Sequence, residues 1–196
     1  MKIKVKLNRQ SINHAKQYLL YIKKVFPTIM NNFMEDVALW LIDRANMHLD
    51  NSDIGENVKM EIRNGWTYNF TPSGITISNS TSKAVVVEFG VGIVGESNSH
   101  PQADTEGYEY NIDTPYKQDD GSWHFFANEA DLDLPKSAID WGVNGKGTNN
   151  RMSIYTRGSK GVWYAYNAIA DANMELSKPD GGQIGALWRK AKKGYF

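Results

Sequence analysis

The stretch that decides our interpretation of the fold is KAVVVEFGVGIVGESNSHP, residues 83–101. It opens with alanine and three valines at positions 84–87, and such a run of apolar, mostly β-branched residues predicts a buried strand. Glycine follows at positions 90, 92 and 95, where it permits sharp turns with positive φ. The polar residues 97–101 are typical of a loop. The sequence therefore predicts a rigid strand that leads into a glycine-rich arm held out for contact.

Part of this stretch resembles a motif of the minor tail proteins that act in tail completion and head–tail joining in long-tailed bacteriophages. Residues 87–95, VEFGVGIVG, followed by His100 and Pro101, are similar to the Glu-Phe-Gly, the glycine-rich loop and the downstream proline of that family. Val91 departs from the pattern, because many members have threonine after the Glu-Phe-Gly.

A second motif of the same family lies nearer the C-terminus. Residues 155–158, YTRG, followed by residues 161–168, GVWYAYNA, are similar to an Arg-Gly turn that leads into a helix. Gly161 stands where many members have proline. The resemblance covers most of residues 10–175, and the order of the motifs along the chain supports it more than any single motif.

The composition is that of an ordinary single-domain protein. The 196 residues are enough for one core, and 41% are hydrophobic and 22% charged. A formal net charge of +0 does not favour a global attraction to nucleic acid or membranes. With no cysteine, disulfides and thiolate chemistry are excluded and a structural zinc site is disfavoured. The basic N-terminus is not followed by an apolar run, so we expect neither a secretion signal nor a membrane span.

Two amphipathic helices are predicted near the N-terminus. Ser11 suits the N-cap of the first helix, and Pro27 is expected to end or kink it because proline lacks the backbone N–H. Apolar residues recur at helical spacing in the first helix at Ile12, Ala15, Leu19, Ile22 and Phe26. They recur in the second at Ile29, Met30, Phe33, Val37, Leu41, Ala45 and Leu49. We interpret both stripes as core-facing.

In the middle of the chain, apolar and polar residues alternate as they do in β-strands. A short helix through residues 54–62 precedes a hairpin whose turn lies at residues 71–74, and the strand at 84–87 is expected to pair beside it. A second hairpin with an aromatic face is predicted from the alternation of Tyr108, Tyr110 and Ile112 with Trp123 and Phe125.

The remaining segments complete a single domain. Residues 131–150 are predicted as a long surface loop within a loop-rich insertion at about 96–157. A helix is predicted over residues 162–176. The domain is expected to span residues 1–178, with residues 179–196 as a basic tail.

No catalytic constellation stands out in the sequence. His100 and His124, with acids such as Asp104, Glu106 and Asp113, could serve a hydrolase or a metal, but no His or Glu spacing typical of helical metal ligands supports this. We expect no cofactor and no metal ion. His100 is expected to have a structural role in a turn.

The three glycines match the dinucleotide pattern G-x-G-x-x-G only superficially. A loop and not a helix follows them, and neither a phosphate-binding lysine nor a Gly-x-Ser-x-Gly is present. Glu88 interrupts the apolar run and leaves two interpretations open. It either faces water at a sheet edge or is a partly buried carboxylate paired, within the fold or with a neighbouring subunit, with an arginine such as Arg157 or Arg151, which would fix the register of the strand.

Two further observations concern nucleic acids. Lys2, Lys4, Lys6 and the basic C-terminus could touch DNA phosphates, although so few charges are more often solvated. A small nucleic-acid-binding module that stacks bases on Tyr108, Tyr110 and Trp123 is an alternative function, as is a hydrolase that uses His100 or His124.

We expect an α+β fold in which two N-terminal helices and a C-terminal helix pack on a small antiparallel β-sheet with long loops. The resemblance implies a non-enzymatic virion protein of the neck, assembled in the host cytoplasm. It also implies a ring, sixfold by preference, that binds connector or head-completion proteins, the tail terminator or tube, and DNA in the channel non-specifically, but no membrane. Contacts with neighbouring subunits and partner proteins are expected from residues 91–100, the 131–150 loop and the C-terminal tail. Residues 88–90 are expected to determine the direction in which the chain leaves the strand and enters the loop. The predicted contact residues are Glu88, Phe89, Gly90, Val91, Gly92, Ile93, Val94, Gly95, His100, Arg157 and Trp188.

Overall fold

The longest element is helix α1, Arg9–Asp50, which contains 42 residues. It belongs to a computed structural model that describes residues 9–111, 117–128, 142–146 and 151–195. At a rise of about 1.5 Å per residue, α1 is about 63 Å long. Its C-terminal half packs against the rest of the chain, whereas residues 10–28 are mostly exposed.

The prediction of two separate N-terminal helices is wrong, because α1 continues through Pro27. Proline in a helix interior removes one hydrogen bond, here the bond that would reach the carbonyl of Lys23. The apolar pattern on both sides of Pro27 keeps helical spacing, and the buried Ile29 and Ala38 hold the second part to the body of the protein. Packing on one side thus outweighs the local cost of the proline.

The core lies where the end of α1 meets three other helices. Helix α2, Glu56–Asn64, and the antiparallel hairpin of β1, Trp66–Thr71, and β2, Gly74–Asn79, follow α1 much as predicted. Trp66 packs edge-on against Tyr164 with ring centroids 6.0 Å apart. The buried core residues are Ala45, Leu49, Ile62, Ala84, Val87, Tyr164 and Ala168.

Residues 84–87 are not a strand. They belong to helix α3, Ser82–Phe89, which buries Ala84, Val87 and Glu88 and leaves Val85 and Val86 exposed. Burial at every third or fourth residue is the helical pattern, and four adjacent apolar residues fit it as well as they fit a strand. Contact with α2 and α6 decides between the two, so tertiary packing overrides the β-propensity of valine here.

The glycine-rich residues after α3 pack into the fold and do not form a projecting arm. Strand β3, Gly90–Val91, pairs antiparallel with β7, Gly158–Lys160, and helix α4, Gly92–Glu96, follows directly. A Cβ on Gly158 would lie 1.8 Å from the carbonyl oxygen of Val91. A Cβ on Gly92, whose φ is +66°, would lie 2.5 Å from the carbonyl oxygen of Arg157. Glycine is required there because two backbones touch.

The region predicted as a loop-rich insertion contains regular structure. Helix α5, Ala103–Glu106, is followed by a three-stranded antiparallel sheet in the order β4–β6–β5, with strands Trp123–Asn128, Arg151–Thr156 and Gly142–Lys146. The predicted second hairpin is wrong in its pairing, since β4 pairs with β6 and residues 108–111 form no strand. Strand β5 lies within the predicted 131–150 loop, the rest of which is outside the described residues, as is Ile112.

The C-terminal helix is confirmed as α6, Tyr164–Ser177, and a further helix follows it. Helix α7, Gly182–Ala191, lies where a basic tail was predicted and packs against α1. Trp188 contacts Phe33 edge-on at 5.3 Å between ring centroids, and Lys190 pairs with Asp36 at 2.8 Å. The pattern of one apolar and one basic face is that of an amphipathic helix, which explains the basic residues.

The fold is α+β, as predicted: a set of helices packed with small antiparallel sheets. In the parts of the chain that the structure describes, no helix combines the length and apolar character needed to cross a membrane.

Replacing Pro27 with alanine is expected to strengthen α1. The substitution restores a backbone N–H for the carbonyl of Lys23 and removes the ring clash, which together cost up to about 3 kcal/mol. Amide hydrogen exchange across residues 20–32 should slow in Pro27→Ala. The neighbouring exposed control Thr28→Ala should change it much less, and equal or faster exchange in Pro27→Ala would contradict the account.

The turn between α6 and α7 is expected to weaken in acid. Glu175 is buried, and hydrogen bonds from Lys178 Nζ at 2.5 Å and from the backbone N–H of Gln183 at 2.7 Å lower its pKa. A lowered folded-state pKa contributes stability above the ordinary glutamate pKa, and this is lost as pH falls towards the lowered value. Urea unfolding from about pH 6 to about pH 3 should show a shallower loss for Glu175→Gln than for the wild type. The exposed control Glu56→Gln should keep the wild-type slope.

Candidate functional site

The residues singled out by the sequence surround a buried carboxylate, that of Glu88, whose residue is 7% exposed. One carboxylate oxygen accepts a hydrogen bond from the backbone N–H of Ala165, and the other from that of Tyr166, each at 2.9 Å. These N–H groups belong to the first turn of α6, where the helix dipole also favours a negative charge. Glu88 therefore caps a helix that lies more than 70 residues away in sequence.

His100 completes this arrangement from the opposite side. Its Nε2 lies 3.2 Å from the Glu88 carboxylate, and its Nδ1 accepts the backbone N–H of Gln102 at 3.0 Å. Because Nδ1 is an acceptor, Nε2 carries the proton and donates a hydrogen bond to the Glu88 carboxylate. We call Glu88, His100 and the first turn of α6 the carboxylate latch. His100 is 4% exposed, so the latch is closed to solvent.

Aromatic rings enclose the latch. The His100 ring contacts Phe89 at 4.3 Å, Tyr166 at 5.2 Å and Trp163 at 5.8 Å between centroids. Burial, together with the charge on Glu88, raises the pKa of Tyr164. The latch thus lies in a low-dielectric setting, in which its hydrogen bonds hold α3, the 97–102 loop and α6 in one relative position.

Of the two interpretations of Glu88, the buried carboxylate is confirmed, but with partners other than the arginine expected. It does not face water, and its partner is not Arg157, which pairs with Asp120 at 3.4 Å. The side chain of Arg151 lies outside the described residues. The partners are a histidine and two backbone N–H groups, because the neighbouring first turn of α6 presents donors that would otherwise be unsatisfied.

The chemistry of the latch is structural. Both ring nitrogens of His100 are engaged in hydrogen bonds within the protein, and its expected role in a turn agrees with this geometry. The side chain of His124, the other histidine proposed for a hydrolase, is outside the described residues. Among the described side chains, no three His, Asp or Glu residues are grouped as metal ligands would be.

A cleft of about 500 Å³ opens beside the latch. Tyr108 forms part of its wall, donates its hydroxyl to the Gly90 carbonyl at 2.6 Å, and has a pKa raised by burial and by Tyr110. Tyr110 accepts the backbone N–H of His100 at 2.6 Å, so the wall is attached to the latch. We call this site the acidic cleft, because three carboxylates and one lysine are found among the described residues that line it. Its lining residues are Gly92, Ile93, Glu96, Ser99, Asp104, Tyr108, Glu109, Tyr110, Asn111, Lys117, Gly121 and Trp123.

A second candidate surface lies on the N-terminal half of α1. Its large apolar side chains are exposed, and the residues Ile12, Leu19, Leu20 and Phe26 are 50%, 62%, 50% and 46% exposed. We call these four residues, with the intervening Lys16 and Lys23, the α1 stripe. Ala15, Lys16 and Lys23 share a shallow apolar depression with three of them. The expectation that the apolar stripe of the first helix faces the core is wrong for Ile12, Leu19 and Phe26.

The structure divides the predicted contact residues into three groups. Glu88, Gly90, Gly92, Gly95 and His100 are buried, so their side chains cannot present a surface to a partner. Phe89, Val91, Val94 and Trp188 are partly buried, and only Ile93 and Arg157 are exposed. Sequence reasoning missed the α1 stripe and most of the acidic cleft. The stripe could have been found from its lack of acidic residues, which is unusual for a core-facing amphipathic helix.

Comparison of the chain with protein-family models, with curated proteins and with solved structures found no significant match. The resemblance to phage tail-completion proteins therefore stays a prediction.

Truncation of Glu88 is expected to be strongly destabilising. Glu88→Ala leaves the first N–H groups of α6 and the His100 ring without their buried acceptor, and loss of one partner from a buried charged network costs about 3–5 kcal/mol. Urea unfolding should report this loss. The exposed control Glu106→Ala should change the free energy of unfolding by about 0.5 kcal/mol or less. Equal effects of the two variants would show that the latch does not hold the fold.

Proposed function

We propose that this protein is a structural subunit of a long-tailed bacteriophage, in the neck or tail-completion ring that joins tail to head. One observation carries the proposal: the α1 stripe exposes large apolar side chains on a helix that extends beyond the core. Contiguous exposed apolar surface rimmed by polar residues is typical of protein–protein contact.

The energetics favour assembly. Complete burial of a large aliphatic or aromatic side chain contributes about 1.5–3 kcal/mol, so the four apolar residues of the stripe could stabilise an interface substantially. In a ring the same contact forms once per subunit. A sixfold ring is the form that the family resemblance implies, with connector and tail proteins above and below it.

A scaffold that resists deformation suits this role. The carboxylate latch fixes α3 and α6 to the loop that bears the acidic cleft. The elements around the cleft then keep a constant relative position, which is what repeated identical contacts around a ring need.

The two alternative functions receive less support from the geometry. A hydrolase based on His100 would need a ring nitrogen that is free to move a proton, and both are engaged in the latch. A base-stacking module would use Tyr108, Tyr110 and Trp123, which line a cleft with three carboxylates that repel phosphates.

The test is assembly of virions in the phage that encodes this chain. Leu19→Glu combined with Leu20→Glu should yield separate heads and tails in electron micrographs, since the stripe can no longer bury its apolar residues against a partner. The matched control Gln17→Glu, which places one charge on an exposed polar position of the same helix, should yield joined particles. Joined, infectious particles from the double variant would overturn the proposal, as would absence of the protein from purified virions.

A further inference from the structure

Charge is divided unevenly along this neutral chain. The first 34 residues hold seven of the 22 Lys and Arg residues and none of the 22 Asp and Glu residues. Residues 35–196 therefore carry 15 basic and 22 acidic side chains, a formal net charge of −7 balanced by +7 at the N-terminus. The chain thus combines a basic apolar helix with an acidic body, and each attracts the other in a neighbouring copy.

The α1 stripe and the acidic cleft match in chemistry as well as in net charge. The stripe places Lys16 and Lys23 among Ile12, Leu19 and Leu20. The cleft places carboxylates around an aromatic and aliphatic wall to which Ile93 contributes an exposed side chain. The aliphatic parts of lysine side chains pack on apolar surface while their ammonium groups reach carboxylates. The lysines and apolar residues of the stripe are therefore complementary to the carboxylates and apolar wall of the cleft. The acids of the cleft are Glu96, Asp104 and Glu109.

The contact must form between copies. None of the described residues that line the cleft belongs to α1. Leu19 precedes Ile29, the first buried residue of α1, by about 15 Å along the helix axis, at a rise of about 1.5 Å per residue. A continuous helix thus carries the stripe away from its own core, towards a second subunit.

Pairing of two stripes with each other is disfavoured. Lys16, Lys23 and Lys24 lie on this part of α1 without a neighbouring acid, so two such helices side by side would place like charges together. Pairing of the stripe with the cleft instead joins opposite charges.

We propose that the α1 stripe of one subunit docks in the acidic cleft of the next copy of this chain. Each subunit then offers one stripe and one cleft, so the contact is heterologous and repeats in the same sense until the assembly closes. This inference deepens the proposed function, on which its ring geometry rests, and it names the surfaces that join neighbouring subunits.

The test uses two charge-reversed full-length chains in sedimentation velocity. The stripe variant carries Lys16→Glu and Lys23→Glu, and the cleft variant carries Glu96→Lys and Asp104→Lys. Each alone should self-associate at least tenfold more weakly than the wild type, because like charges then face each other in every contact. An equimolar mixture of the two should regain assembly, since each variant surface then meets an opposite charge on the other chain. Lys24→Glu and Glu56→Lys serve as controls and should associate as the wild type does.

The other outcomes overturn the docking. Undiminished self-association of the cleft variant would show that the stripe binds elsewhere, and an inactive mixture would show that the two surfaces do not meet. A wild-type chain that stays monomeric, or whose stripe lysines govern binding to DNA or to anionic vesicles alone, would also refute it. Detection of the chain in virions is independent of these results, so failure of the docking can be told apart from failure of the proposed function. Circular dichroism of each variant checks that it is folded.

Discussion

The structure depends on one buried carboxylate that bonds three separate parts of the chain. Glu88 lies in the last turn of α3, accepts the backbone N–H groups of Ala165 and Tyr166 in the first turn of α6, and accepts a hydrogen bond from His100. A charge at this depth is costly unless it is fully hydrogen-bonded, and here the donors come from groups that also need an acceptor. The carboxylate and the N–H groups at the start of α6 satisfy each other's hydrogen-bonding requirement. This explains why a charged residue lies in the middle of an apolar run.

The glycine-rich residues after Glu88 follow from the same constraint. Once α3 and α6 are held together, the backbone that leaves α3 must pass very close to the backbone that enters α6. Gly92 and Gly158 occur where these two backbones touch, and a side chain on either would overlap a carbonyl oxygen. The acidic cleft forms beside this crossing, where Ile93 is exposed and the hydroxyls of Tyr108 and Tyr110 bond the backbone of Gly90 and His100.

Much of the fold could be predicted from local pattern, and the errors have a common cause. The β1–β2 hairpin, α2 and α6 are set by turn residues and periodicity that a short window contains. The pattern of the four apolar residues 84–87 is compatible with both a strand and a helix. Only the contact of this segment with α2 and α6 favours the helix. Proline ends a helix in most contexts. Helix α1 nevertheless continues through Pro27, because its packing against the body of the protein begins two residues later, at Ile29. Glu88, the glycines and His100 do lie close together, and burial of the Glu88 carboxylate was one of the two predicted alternatives. Its hydrogen-bond donors could not be predicted, because the helix that it caps lies far along the chain.

The long sequence separation within the latch also sets an order of events during synthesis of the chain. Glu88 leaves the ribosome 77 residues before Ala165, the donor that its carboxylate requires. Until that donor emerges, the charge is best kept in water, and α3 cannot settle against the end of α1. Completion of the latch therefore waits until the first turn of α6 has emerged, after most of the chain has been synthesised.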